Sequence, residues 1–244
     1  MVIFMGNEIL QKKISEVNKV LIEYYGIPER NSKPPQPIDM LIATILSQNT
    51  NDKNSHRAWL NLKKKYKSWK LLLNVPIKQL QNDIRVAGLA KQKASAIKGV
   101  VEKNFTEGGG KSLDQIKYMS NTEALSYLTN FGGVGVKTAS CVLLFSLDRN
   151  VCPVDTHVHR ISNRIGLVKT NTPDKTFIQL NKDFPLATAH SFHTNLIKLG
   201  REFCKPTNPS CKECPIENHC GFNNKNYHNL KSKENNFMLL DNIK

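Results

Sequence analysis

The stretch Asn130-Phe131-Gly132-Gly133-Val134-Gly135-Val136-Lys137-Thr138-Ala139 decides how this chain is read. Before it, Ser120 and Glu123 stand at capping-box spacing, which predicts a helix ending near Asn130. After it, Thr138 to Leu147 carry no charge, which predicts a helix buried on most sides. Between them, glycines allow a left-handed turn and leave no Cβ to block an approaching backbone. This is the layout of a helix-hairpin-helix. The N–H groups of Gly133, Gly135 and Val136 are then available to grip a phosphate without reading sequence. Taken alone, the glycines are better explained by an ordinary helix C-cap and turn.

Lys137 shifts that balance. It stands at the positive end of the second helix and beside an uncharged segment, and both surroundings disfavour an ammonium. A neutral amine there can attack an electrophilic sugar carbon and form a Schiff base. The commoner fate of a lysine beside an apolar helix is to snorkel to the surface.

Outward from the turn, the pattern is helical throughout. Leu10, Ile14, Val17, Leu21 and Tyr24 line one face of a first helix, stopped by Gly26 and Pro28. Pro34 to Pro37 is a stiff linker, and Pro37 opens a helix striped by Ile38, Leu41, Ile42 and Ile45. A polar break, Ser47 to Asp52, precedes a helix reaching about Tyr66. Short helices are predicted near Trp69 and Leu80, and a longer one from about Lys91 to Lys103. Thr106 to Lys111 reads as a flexible loop. Val158, Ile161, Ile165 and Val168 line a further helix, Thr172-Pro173 opens the next, and Phe192 to Phe203 line a long one. After Cys220 the chain turns polar and is expected to be largely mobile. No strand alternation is found, so the fold class is all-α.

Lys plus Arg number 35 against 20 Asp plus Glu, a net charge of +15. An anionic partner, nucleic acid first, is the simplest implication, although an Asn- and Lys-rich composition also arises from an AT-rich genome. No apolar run is long enough to span a bilayer and no signal peptide is evident, so a cytoplasmic protein without a membrane partner is expected.

Two further segments carry chemistry. In Cys152-Pro153-Val154-Asp155-Thr156-His157-Val158, Asp155 is first of all a helix N-cap. Its functional reading is a carboxylate that stabilises an oxocarbenium-like sugar. His157 and His159 are read as packing or hydrogen-bonding residues. Cys204, Cys211, Cys214 and Cys220, separated by six, two and five residues, suit either a tetrahedral zinc or a 4Fe–4S cluster. Spacing alone leaves that choice open.

Together these three segments resemble the endonuclease III family of helix-hairpin-helix DNA glycosylases. The family turn L-P-G-V-G-x-K-T-A is matched by Phe131 to Ala139, V-D-T-H by Val154 to His157, and the C-x6-C-x2-C-x5-C pattern by the four cysteines. The resemblance covers about residues 8 to 222. It departs at Gly132, where the family has proline, and in the loop Leu46 to Asp52.

The resemblance implies two helical lobes with a helix-hairpin-helix and a C-terminal iron–sulfur loop. A six-helix lobe would span 35–150, a cluster lobe would combine 1–34 with 151–222, and 223–244 would be a polar tail. Lys137 would be the nucleophile facing Asp155 across a cleft. Gln48 or Asn49 would fill the gap left by a flipped base. The four cysteines would hold one 4Fe–4S cluster that shapes a basic loop including Lys205 and Lys212. The implied activity is a bifunctional glycosylase/AP lyase of base excision repair, acting as a nucleoid-associated monomer. Its substrate would be double-stranded DNA with damaged bases, oxidised pyrimidines above all, or abasic sites. The alternatives are a mismatch or methylcytosine glycosylase, and a non-catalytic DNA-binding protein.

Overall fold

A computed structural model describes residues 2–106, 113–228 and 237–243, with backbone alone for 2–7. The loop expected at Thr106 to Lys111 lies, after Thr106, outside the described residues. Among the described residues there are ten α-helices, five short 3-10 helices and no strand, and no helix is long and apolar enough to cross a membrane.

The chain divides into two compact units: residues 1–29 with 150–236, and residues 30–149 with 237–244. The second unit holds α2 (Pro37–Ser47), α3 (Asp52–Lys65), α4 (Ile77–Asp83), α5 (Ala90–Phe105), α6 (Asn121–Thr129) and α7 (Val136–Leu147). At its centre is α2, whose residues Met40 to Leu46 are all buried against α3, α5 and α7. Each such leucine or isoleucine contributes about 1.5–3 kcal/mol by leaving water. Local signals fix the helix starts. Pro37 supplies the first turn of α2, and the Asn51 side chain accepts from the Asn54 N–H to start α3. Ser120 and Glu123 form the reciprocal capping box of α6.

Residues 237–243 also pack on this unit. Met238, Leu239 and Ile243 are buried, the Ile243 carbonyl accepts from Asn31, and the Phe237 ring lies tilted against His56, centroids 5.0 Å apart. The polar tail therefore closes on a short apolar run that its overall composition conceals.

The first unit joins α1 (Val2–Tyr25) to α8 (Thr156–Arg164), α9 (Pro173–Leu180) and α10 (Ala189–Glu202). The apolar stripe of α1 packs on α10, and Lys13 Nζ, Ser191 Oγ and Tyr25 Oη bond across to Ile165, Asn18 and Glu202. Gly200 lets α10 approach α8 closely: a Cβ there would stand 2.5 Å from His157 Nδ1. His157 is a packing residue in this arrangement. Burial, helped by nearby Arg160 and Arg201, lowers its pKa, and the imidazole accepts from Arg160 at 3.1 Å.

Candidate functional site

The glycine turn joins α6 and α7 as a tight hairpin. Gly133 takes φ +80°, and a Cβ on it would meet Ala96 of α5 at 2.8 Å, so both the backbone and the packing demand glycine. Gly135 is the N-cap of α7 and provides no side-chain cap. The first N–H groups of α7 are thus left for an outside acceptor, and the helix dipole favours an anion there. Lys137 follows in the first turn of α7, half-buried.

The polar break after α2 folds onto this hairpin. Gln48 Nε2 donates to the Gly133 carbonyl at 3.0 Å and to Thr138 Oγ1 at 3.3 Å. Asn49, next in the chain, is exposed and left-handed, with φ 49°. The structure therefore brings Gln48, Gly133, Gly135, Val136 and Lys137 together within one unit, with Asn49 projecting beside them.

Sequence reading overlooked Leu89. It is the N-cap of α5, left-handed at φ 48°, 47% exposed, and preceded by Gly88 at φ 70°. A strained, exposed leucine is a functional signal, but in sequence Gly88-Leu89 is an ordinary pair. Also overlooked was Lys93, which is 2% exposed despite standing in the run Lys91-Gln92-Lys93.

Asp155 lies in the other unit. It is the N-cap of α8, with Oδ1 accepting from the Val158 N–H at 2.8 Å, and it is half-buried. On the next turns of α8, Arg160 Nε donates to the Cys204 carbonyl at 2.9 Å. Arg164 donates to Cys204 Sγ at 3.3 Å, to the Lys205 carbonyl at 2.7 Å and to the Pro206 carbonyl at 2.8 Å. Neither arginine was singled out from sequence, because a basic residue on an amphipathic helix looks solvent-facing until its carbonyl partners are known.

All four clustered cysteines line one cavity, walled by Arg164, Phe203, Ser210 and Phe222. Burial pushes the Cys214 thiol up to about 12, and its neighbours Cys204, Cys220 and Cys211 push in the same direction. Burial likewise raises Cys220. Among the described residues no group of His, Cys, Asp or Glu is arranged to hold a metal ion. Lys205 is half-buried beside Cys204, and Lys212 is exposed between Cys211 and Cys214. Cys141 and Cys152 are buried elsewhere.

Residues 42–185 match the profile of the HhH-GPD superfamily of base excision DNA repair proteins. An Endonuclease III of Thermotoga maritima is 37% identical over 193 residues, covering 79% of this chain and 86% of that protein. An Endonuclease III of Bacillus subtilis is 31% identical over 188 residues, covering 75% and 80%. Among solved structures, an Endonuclease III in a non-covalent complex with DNA superposes with a TM-score of 0.73 at 25% identity, covering 86% of this chain and 95% of that one.

Proposed function

This chain belongs to the endonuclease III family, within the HhH-GPD superfamily of base excision DNA repair proteins, and on that premise we propose that it is a bifunctional DNA glycosylase/AP lyase acting on oxidised pyrimidines through Lys137 and Asp155. The observation that carries this reading is the start of α7. An amine stands in the first turn of a helix whose N–H groups have no side-chain cap, on a glycine turn that suits a phosphate backbone.

The chemistry follows from these groups. The damaged nucleotide is extruded from the stack. The Lys137 amine attacks the anomeric carbon, forming a C–N bond as the glycosidic bond breaks. The departing base carries away the electron pair and takes up a proton. Asp155 stabilises positive charge on the sugar as the base leaves. Ring opening gives an imine on Lys137, loss of a C2′ proton expels the 3′ phosphate, and water releases the protein. A trapped covalent intermediate with DNA is recorded for a related Endonuclease III of the same fold.

Gln48 is engaged by the hairpin whereas Asn49 is exposed on a left-handed turn. That difference supports Asn49 as the side chain that fills the vacated gap, with Gln48 as its brace. Leu89 has the chemistry of an apolar wedge for the opposite stack.

The four cysteines line one cavity, and four thiols on one cavity are the donor set that a 4Fe–4S cluster takes. Bound there, the cluster would supply structure to the loop bearing Lys205 and Lys212, and the base-release chemistry requires no redox change from it. Arg164 orients Cys204 and the following backbone.

The test uses purified protein and duplexes bearing one oxidised pyrimidine or one abasic site. Strand cleavage on denaturing gels and a borohydride-stable adduct are the expected results. Binding without cleavage of any lesion would leave only a DNA-binding protein. Brown protein with broad absorbance toward the violet, and iron without stoichiometric zinc, is expected of the cysteine site.

A further inference from the structure

Asn49 and Leu89 stand on separate loops, and one buried amine holds the roots of both. Lys93 Nζ donates to the Leu46 carbonyl at 2.8 Å and to the Ala87 carbonyl at 2.7 Å. Leu46 lies one residue before the end of α2, and the chain then runs through Ser47 and Gln48 to Asn49. Ala87 ends the 3-10 helix Arg85–Ala87, and the chain then runs through Gly88 to Leu89. Both tips, left-handed and exposed, therefore depart from carbonyls that share a single donor. The helix that carries Lys93 also receives the hairpin, because Gly133 packs on Ala96 and its carbonyl accepts from Gln48.

Burial lowers the pKa of this lysine to about 8, and its amine satisfies two carbonyls that an apolar side chain of the same length would leave without it. In either protonation state the amine has enough N–H groups for both carbonyls. What it provides is a fixed spacing between two chain segments that, among the described residues, share no backbone hydrogen bond of their own.

We propose that Lys93 is a positioning residue for base extrusion, clamping the roots of the 47–51 and 88–89 loops so that Asn49 and Leu89 enter the duplex together. The inference rests on the glycosylase reading above. It predicts a split between two reactions of one protein: release of an intact base requires extrusion, whereas cleavage at a pre-formed abasic site has no base to extrude.

The experiment compares wild type, Lys93→Met and Lys93→Arg as full chains with intact iron content. The substrates carry one oxidised pyrimidine or one abasic site, and a neighbouring 2-aminopurine reports unstacking. Lys93→Met is expected to slow base release about tenfold or more and to diminish the fluorescence rise, while abasic cleavage stays within about threefold. Lys93→Arg, which keeps several donors, is expected to recover base release. Base release at the wild-type rate in Lys93→Met would overturn the clamp, and so would an equal loss of both reactions with unchanged fluorescence. Should Lys93→Met fail to fold, Lys93→Gln, whose stem is one bond too short to reach both carbonyls at once, enters the same assay under the criteria set for Lys93→Met. A wild type inactive on both substrates would remove the glycosylase reading and the clamp with it, whereas an active wild type with an unaffected variant removes the clamp alone.

Discussion

Helices α7 and α8 begin in opposite ways. At α8 the chain closes its own end: the Asp155 carboxylate accepts from Val158 and sits at the positive pole of the helix. At α7 the N-cap is a glycine without a side-chain partner, and the first turn carries a lysine. A cap is worth about 1 kcal/mol, and a cation at a helix N-terminus costs roughly 0.3–1 kcal/mol. The α7 start is therefore disfavoured twice where the α8 start is favoured twice. The difference teaches that α8 is capped by the protein's own side chain, whereas the beginning of α7 is left open, as the proposed phosphate contact requires.

The largest effect should come from the charge at α7. Lys137→Gln is expected to reduce borohydride trapping to background, because an amide forms no imine. Its thermal midpoint should hold or rise, since an unfavourable helix-end cation is gone. An adduct at wild-type yield would show that another amine does the chemistry and that the two helix starts do not divide the work as described.

Next in size is Asp155→Asn. Asparagine caps as well as aspartate, so the α8 start survives while the charge is lost. Base release should slow by about a hundredfold, corresponding to roughly 3 kcal/mol, with abasic cleavage less affected. Equal slowing of both reactions in single-turnover assays would deny the carboxylate its specific part in base departure.

A smaller effect tests the open end directly by giving α7 what α8 already has. The position of Gly135 is extended, with φ −94°, and a Cβ there meets nothing within 4 Å, so Gly135→Asp is sterically free. It should cap α7 yet place a negative charge where a phosphate is proposed to bind. Affinity for duplex DNA should fall about tenfold and the salt slope should shrink by about 1. An unchanged salt titration would mean that no phosphate sits there. The smallest effect is at the other helix: Asp155→Ala should melt earlier than Asp155→Asn by about 1 kcal/mol of stability, the worth of the cap alone.

Where signals are local, the sequence was readable. Ser120 and Glu123 announced their capping box, Thr172-Pro173 its helix, and Gly133 its turn, because each acts on a few neighbouring residues. The cysteine spacing likewise announced a shared site. Lys93 was not readable, since its burial is decided by the carbonyls of Leu46 and Ala87, which only the packing of α2 and α5 brings to it. Leu89 was missed for the same reason: its left-handed backbone is imposed by the junction of a 3-10 helix with α5. Residues 237–243 were hidden by averaging, five apolar positions being diluted by a polar tail.

The unit that holds the cysteines is built from two separated stretches, residues 1–29 and 150–236. Lys13 bonds to Ile165, Asn18 to Ser191 and Tyr25 to Glu202. A ribosome makes α1 well before α10, so the apolar stripe of Ile14, Val17 and Leu21 lacks that packing partner until α10 has emerged. Most of the other unit is contiguous and is synthesised in that interval. Nascent α1 is consequently open to holding chaperones throughout that interval, and the cysteines follow α10 along the chain.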